Sequence, residues 1–234
     1  MEVFEFIELL KQQSVSLPEN AEEKFTTYTD LLIEWNAKMN LTSITNPSDI
    51  NEKHYYDCLL PMTFCPYEGS LLDVGSGAGF PGIVLAIARP DLQVTLLEPI
   101  QKRCRFLQEI IEKLTLKNVE IIHDRAEKDV EIHREIFDIV TARAVANLQE
   151  LSELCIPFVK IGGKFLAMKG TNGQEEAEKA QYAIQELGGK LEEIKEYRLP
   201  TAGNRTLIVI NKVKETPKQY PRDYSQIKKK PLSS

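Results

Sequence analysis

The sequence predicts an α/β protein: a seven-stranded sheet, five strands parallel and the last two an antiparallel hairpin, helices on both faces and an N-terminal helical extension. Three observations carry this. From Ser70 onward, short β-rich runs near 70–75, 93–98, 119–124, 137–142 and 163–169 alternate with helical patterns near 80–89, 100–114, 147–160 and 173–187, the rhythm of a parallel sheet. Gly188-Gly189 then breaks the alternation, and two strand-like runs near 190–199 and 205–213 follow with only Pro200-Thr201-Ala202-Gly203-Asn204 between them. The first sixty residues show helical spacing and no strand alternation.

Taken in order, Phe4, Ile7 and Leu10 mark the apolar stripe of a first helix, and Phe25, Tyr28, Leu31, Leu32, Trp35 and Met39 that of a second. Ser16 before Leu17-Pro18-Glu19 reads as the start of this second helix, and Asn40-Leu41-Thr42-Ser43 as its stop. A third runs from Ser48, where Ser48-Asp49 can cap, to Leu60, ended by Pro61. The chain divides into a helical region, 1–66, packed on the core, an α/β domain, 67–214, and a basic C-terminal tail, 215–234. No internal repeat is present.

At the end of the first strand, Leu71-Leu72-Asp73-Val74 breaks into Gly75-Ser76-Gly77-Ala78-Gly79-Phe80-Pro81-Gly82. Glycine lets a backbone turn sharply and touch a ligand without a Cβ in the way. A dinucleotide site needs G-x-G-x-x-G around a pyrophosphate. Here the third glycine comes one residue early and Phe80 stands where the last should be. Gly75, Gly77 and Gly79 suit S-adenosylmethionine, which carries no phosphate; the plainer alternative is a tight turn that only packs a helix on the sheet. Glu98 closes the second strand, where an acid can accept from both ribose hydroxyls; otherwise it is a solvated carboxylate at a strand end. The ligand crevice of such a sheet lies at the carboxyl ends of its strands. That rim collects Asp124-Arg125-Ala126-Glu127 for the adenine edge, Thr141-Ala142-Arg143-Ala144 beside the transferred methyl, and Lys169-Gly170.

Composition limits the alternatives. With 42% hydrophobic and 27% charged residues the chain is an ordinary globular protein, and its longest apolar runs are far too short to span a bilayer. The acidic start Met1-Glu2-Val3-Phe4-Glu5 is unlike a secretory signal, so the cytoplasm is expected. Cys58, Cys65, Cys104 and Cys155 form no C-x-x-C pair and share no ligand spacing with His54, His123 or His133, which indicates neither a metal site nor disulfides. The net charge of −6 is unevenly spread: nine Lys/Arg face two acids from Arg198 onward, against twenty and thirty-three before it. Such asymmetry is either a solubilising tail or a footprint for a polyanion. Tyr220, Arg222, Tyr224 and Lys228, Lys229 and Lys230 interleave aromatics with cations, as RNA binding does through stacking and phosphate contact.

With these residues assembled, the chain resembles the bacterial ribosomal RNA small subunit methyltransferase G family, also called glucose-inhibited division protein B, over nearly its whole length. The resemblance rests on Trp35-Asn36 with Asn40-Leu41-Thr42, His54-Tyr55-Tyr56-Asp57, the glycine loop extended by Phe80-Pro81-Gly82-Ile83, Lys102-Arg103 with Phe106-Leu107, Arg125-Ala126-Glu127, Phe137-Asp138 with Ala142-Arg143-Ala144, Lys169-Gly170 and Tyr220-Pro221-Arg222. It implies a class I S-adenosylmethionine-dependent methyltransferase fold and methyl transfer to N7 of a guanine in 16S ribosomal RNA, beside the decoding site. The family's cofactor contacts fall on Gly75, Phe80, Ala126, Glu127 and Arg143. Guanine N7 keeps a lone pair in the neutral base, so no general base is expected; Arg143 and Asp57 are the candidate catalytic residues, Asp57 as an electrostatic partner for the charge that methylation places on the purine. RNA contacts are expected at His54, Arg103, Lys169, Arg205, Arg222, Lys228, Lys229 and Lys230, with 16S RNA or the small-subunit particle as partner, no membrane, and a monomeric enzyme. The chain departs from the family at Pro99 after Glu98, at Cys58, and at Asp223-Tyr224-Ser225, where a more basic, glycine-containing tail is usual. Competing readings are a methyltransferase with another substrate and a non-catalytic RNA module that keeps the cofactor pocket.

Overall fold

The computed structural model describes residues 1–65 and 67–233. Its sheet has seven strands: β1 (Ser70–Val74), β2 (Gln93–Leu97), β3 (Val119–Ile122), β4 (Phe137–Arg143), β5 (Val159–Lys169), β6 (Gly189–Leu199) and β7 (Gly203–Lys212). They lie in the order β3-β2-β1-β4-β5-β7-β6, the first five parallel, with β7 antiparallel to both β5 and β6. The order reverses between β1 and β4, which places the topological switch beside the glycine loop.

Strand side chains alternate between two cores, as a period of two requires. Leu71, Ile139, Leu166, Leu207 and Val209 face one, and Leu72, Val140, Phe165, Ala167 and Ile208 face the other. The first is covered by α1 (Val3–Gln12), α2 (Ala21–Asn36), α5 (Gly82–Ala88) and α6 (Gln101–Lys113), the second by α7 (Ala126–His133), α8 (Leu148–Cys155) and α9 (Gly173–Glu186). Phe6, Phe25, Tyr28 and Tyr55 are fully buried in the same cluster as Leu71 and Leu166, so the N-terminal region shares its core with the sheet.

Several boundaries differ from the sequence expectation. Helix α2 begins at Ala21 rather than at Ser16–Pro18, because the Pro18 carbonyl accepts from the Ala21 N–H in a turn that precedes the helix. It ends at Asn36, not at 40–43: the Asn36 Oδ1 accepts from the N–H groups of Leu41 (2.7 Å) and Thr42 (2.9 Å) and turns the chain away. The third helical stretch is capped by Asn46 instead of Ser48 and is not uniform: α3 (Pro47–Ile50) passes into a π-helical segment, Asn51–Tyr56, then α4 (Asp57–Leu59) and a 3₁₀ turn, Leu60–Thr63. The helix expected over 147–160 stops at Cys155, and after a 3₁₀ turn the strand starts at Val159, earlier than expected. Two elements, α7 and α10 (Tyr224–Lys229), lie where no helix was expected.

The C-terminal segment is a strap, not a loose tail. Thr216, Tyr220 and Ile227 are buried, the Thr216 N–H donates to Glu135 (2.7 Å), and Arg134 donates to the Tyr220 carbonyl (2.6 Å). Lys212 is fully buried on the Ile156 carbonyl (3.0 Å), with Glu135 at 2.9 Å and the Thr216 hydroxyl completing its shell. Burial lowers the Lys212 pKa below the usual lysine range while the Glu135 carboxylate opposes the shift.

Candidate active site at the carboxyl rim

The three glycines have different jobs. Gly75 lines a cleft in an αL conformation, φ +72°, and a Cβ there would stand 2.9 Å from the Val145 side chain. Gly77, φ +59°, has open space around it and donates its N–H to Glu98 Oε2 at 2.8 Å. Gly79 is a packing residue: a Cβ would meet the Tyr28 hydroxyl at 2.5 Å and Ile83 at 2.7 Å. Tyr28 also donates to the Ala78 carbonyl, tying the loop to α2. Of the three glycines expected at the cofactor, only Gly75 lines the cleft.

Glu98, expected at the ribose, sits beneath the loop. It is fully buried, with Oε2 on Gly77 and Oε1 accepting from Ile100 N–H (2.9 Å), while Arg103 stands 3.7 Å away. The carboxylate shapes the loop from below and does not line the cleft. Arg103, expected to meet RNA, is the cation beside it. Under the same loop, Asp73 Oδ2 accepts from the Gly82 N–H (2.9 Å) while Oδ1 is buried without a partner. Burial raises the Asp73 pKa to about 7 against the lowering effect of that N–H.

Two clefts open at this rim. The first, about 240 Å³, is lined by Val74, Gly75, Leu97, Pro99, Val145 and Leu154, by Asp124 to Glu127, and by Tyr224. Its walls are apolar and its charges are Asp124, Glu127 and Arg125, the last 3.5 Å from Glu127. A pyrophosphate would meet two acids there and one partly neutralised cation, whereas an uncharged nucleobase on a cationic sulfonium fits. The second cleft, about 430 Å³, is lined by Ile44, Lys53, His54, Asp57, Arg143, Lys169, Glu176, Tyr197 and Arg205 among others. Val145 faces the first cleft and Ala144 and Ala146 the second, so the chain leaving β4 is the wall between them.

Arg143 organises the second cleft. It donates to the Lys53 carbonyl (3.0 Å), to Asp57 Oδ2 (3.2 Å) and to His54 Nδ1 (2.8 Å), and lies 5.0 Å from the centroid of the Phe80 ring. His54 stacks on the other part of this aromatic floor, centroids 4.3 Å apart, and its Nε2 meets the Thr42 hydroxyl at 2.9 Å. Burial, with help from the Arg143 charge, drops the His54 pKa to about 3, so the ring is neutral and accepts from Arg143. Asp57 also receives the Tyr197 hydroxyl (3.1 Å) and lies 3.6 Å from Arg205 Nε. Its charge is matched by two guanidinium groups, which makes it their anchor, and it lines the second cleft, where it was expected to stand opposite a charged purine. Phe80 lines neither cleft and serves as the floor.

Lys169 is nearly buried, donating to the Ala146 carbonyl (2.5 Å) with Glu176 at 2.8 Å. Arg205 donates to the carbonyls of Ala202 (3.0 Å) and Asn204 (2.9 Å). Lys228, Lys229 and Lys230 are exposed, but Arg222 is not free: it chelates the buried Glu153 through its N–H (2.9 Å), Nε (2.8 Å) and NH2 (2.6 Å). Arg222, expected to contact phosphate, thus spends these donors on Glu153 while its side chain keeps a quarter of its surface exposed beside Lys229 and Lys230. The sequence reading missed Tyr197, Lys53 and Val145, and set Tyr224 among the RNA-binding aromatics rather than in the first cleft. Tyr197 reads as an ordinary strand aromatic, and only three-dimensional pairing brings it to Asp57. All four cysteines are buried, and the described residues contain no group able to hold a metal ion and no helix long and apolar enough to cross a membrane.

Comparison with known proteins gives the family and the fold. The family model described as GidB, rRNA small subunit methyltransferase G, matches residues 21–208. The ribosomal RNA small subunit methyltransferases G of Staphylococcus aureus strains bovine RF122 / ET3-1 and JH9 are 47% and 46% identical to this chain over 229 residues, 96% of each sequence. Solved structures share the fold at low identity. A mutant 16S rRNA (adenine(1408)-N(1))-methyltransferase from Catenulisporales acidiphilia matches with TM-score 0.53 and 16% identity, over 66% of this chain and 87% of that one. TYW2 of M. jannaschii, in complex with AdoMet, matches with TM-score 0.52 and 19% identity, over 64% and 71%. Sequence and fold together therefore make this chain a member of the rRNA small subunit methyltransferase G family.

Proposed function

We propose that the protein transfers a methyl group from S-adenosylmethionine to N7 of a guanine in the decoding-site loop of 16S ribosomal RNA, acting in the cytoplasm as a monomer on the RNA or the small-subunit particle. The observation that carries this reading is the pair of clefts on either side of residues 143–146, one apolar and acid-edged, the other rich in cations. The first fits the adenosyl group between Gly75, Pro99, Ala126 and Val145, with Glu127 and Asp124 as acceptors at its edge. When bound, the cofactor supplies an electrophilic methyl on a sulfonium.

In the second cleft Arg143, Arg205 and Lys169 offer donors suited to O6 of guanine and to phosphate oxygens. A donor on O6 leaves the adjacent N7 lone pair free. Because N7 carries no proton, the site needs no base, and the neutral His54, already accepting from Arg143, is not placed to act as one. Holding nucleophile and methyl in line can supply up to roughly 7–11 kcal/mol of the barrier in favourable cases. The target base has to leave its stack to enter the cleft.

The decisive test is mass spectrometry of 16S RNA from cells lacking the protein, with the purified protein added back to that RNA or to subunit particles. One missing 7-methylguanine, restored with S-adenosylmethionine, is expected. An unchanged modification profile would sink the substrate assignment, and calorimetry showing tight NAD binding but no heat with S-adenosylmethionine would sink the cofactor site.

A further inference from the structure

The strap reaches the first cleft. After β7 the chain crosses the second core face, and Tyr224, the first residue of α10, becomes part of the lining alongside Pro99, Val145 and Leu154. Its neighbours pin it there. Two residues upstream, Arg222 grips the buried Glu153 of α8 with three hydrogen bonds, and three residues downstream Ile227 is fully buried in the core that holds Leu154. Further along, Gln149 of α8 donates to the Leu232 carbonyl at 3.2 Å. The half-buried Tyr224 ring packs against this same core. An aromatic ring fixed between two anchors, at the mouth of an apolar slot, is a stacking surface for a planar base.

We propose that Tyr224 is a cofactor-binding residue, its ring forming the outer wall against the adenine of S-adenosylmethionine, and that the strap is thereby part of the cofactor site. This rests on the methyltransferase reading. It gives the Asp223-Tyr224-Ser225 sequence, singled out as unusual within a segment otherwise suited to RNA, a role on the cofactor side. It also explains why Arg222 is spent on Glu153: the ion pair fixes the register that delivers Tyr224 two residues later.

The test is calorimetric titration of the full-length protein with S-adenosylmethionine and S-adenosylhomocysteine. Tyr224→Ala is expected to weaken both about tenfold or more, the size expected when one aromatic partner of a stacked base is removed, while Tyr224→Phe restores the affinity. In turnover, KM for the cofactor should rise more than kcat falls. Tyr224→Trp supplies a second reading should the alanine variant be unstable: its added emission should change on S-adenosylhomocysteine binding beyond any change in the wild type, whose one tryptophan is Trp35. Wild-type binding with unchanged affinity in Tyr224→Ala, or an unresponsive Tyr224→Trp, would overturn the assignment. A wild-type protein that takes up neither ligand would overturn the methyltransferase reading itself.

Discussion

Arg143 shows how much chemistry one side chain can gather at a strand end. Its fork spans a carbonyl, a carboxylate and a neutral imidazole above an aromatic ring, a set that a lysine ammonium cannot reproduce. Arg143→Lys should lower kcat by about 100-fold, the size a small misplacement at the reacting centre produces, with a much smaller fractional loss of thermal stability. Kinetics and melting curves measured together check this, and equal losses would mark the residue as structural. Asp73 makes a different prediction. Its folded pKa of about 7 lies above the ordinary 3.8 because burial penalises the charge, so its contribution to stability is complete below pH 3.8 and is lost as pH rises through about 7. Asp73→Asn cannot ionise, and the melting-temperature difference, variant minus wild type, should grow between pH 4 and 8. A flat difference would show that Asp73 does not titrate in this window. Arg143 was legible because an arginine ending a β-rich run falls on the rim by topology alone. Its contacts were not: Asp57, His54 and Arg205 were singled out separately, but that Asp57 and His54 bond to Arg143 and that Tyr197 and Arg205 reach Asp57 follows from folding, which no spacing in sequence encodes.

Among the elements, the glycine turn and the π-helical segment depart most from simple pattern. The turn was legible as a turn, yet which glycine served packing and which served a ligand depended on neighbours from α2 and β4. Gly79→Ala forces a methyl onto Tyr28 and Ile83 at φ +94°, and should cost about 2–4 kcal/mol, seen in denaturant melts. Gly77→Ala meets no atom closer than 3.8 Å and should cost about 1 kcal/mol for its αL backbone. If the two variants were equally stable, the packing role given to Gly79 would be wrong. The helix expected over 48–60 exists, but the π segment, with its wider turn, was not foreseen. Residue identity gives no clear sign of i→i+5 bonding, which is frequent at functional sites. Its effect is visible: Tyr55 goes to the aromatic core with Phe25 and Tyr28, His54 to Phe80, and Glu52 to the hairpin turn, accepting from Thr201 (N–H 2.6 Å, hydroxyl 2.7 Å) and Ala202 (2.9 Å).

Across the whole molecule, the sheet and its hairpin were readable because alternating periodicities and a glycine pair mark them directly. The C-terminal segment was misjudged because charge was counted without partners: Arg205, Lys212 and Arg222 are matched by Asp57, Glu135 and Glu153. Exposed cations at that end are Arg198, Lys214, Lys218 and the consecutive three Lys228, Lys229 and Lys230. Replacing these three with Ala should make the slope of log affinity for RNA against log salt shallower by about 2, with catalysis on saturating RNA retained; an unchanged slope would remove them from the interface. The amino-terminal helices have a wider consequence. The glycine turn hangs from Tyr28 and the hairpin from Glu52, so this region could not be gained or exchanged as a detachable cassette. A chimaera joining it to a distant relative's sheet would leave a bare carbonyl on one side and an unmatched carboxylate on the other, and recombination within this lineage is expected to inherit both parts as one block.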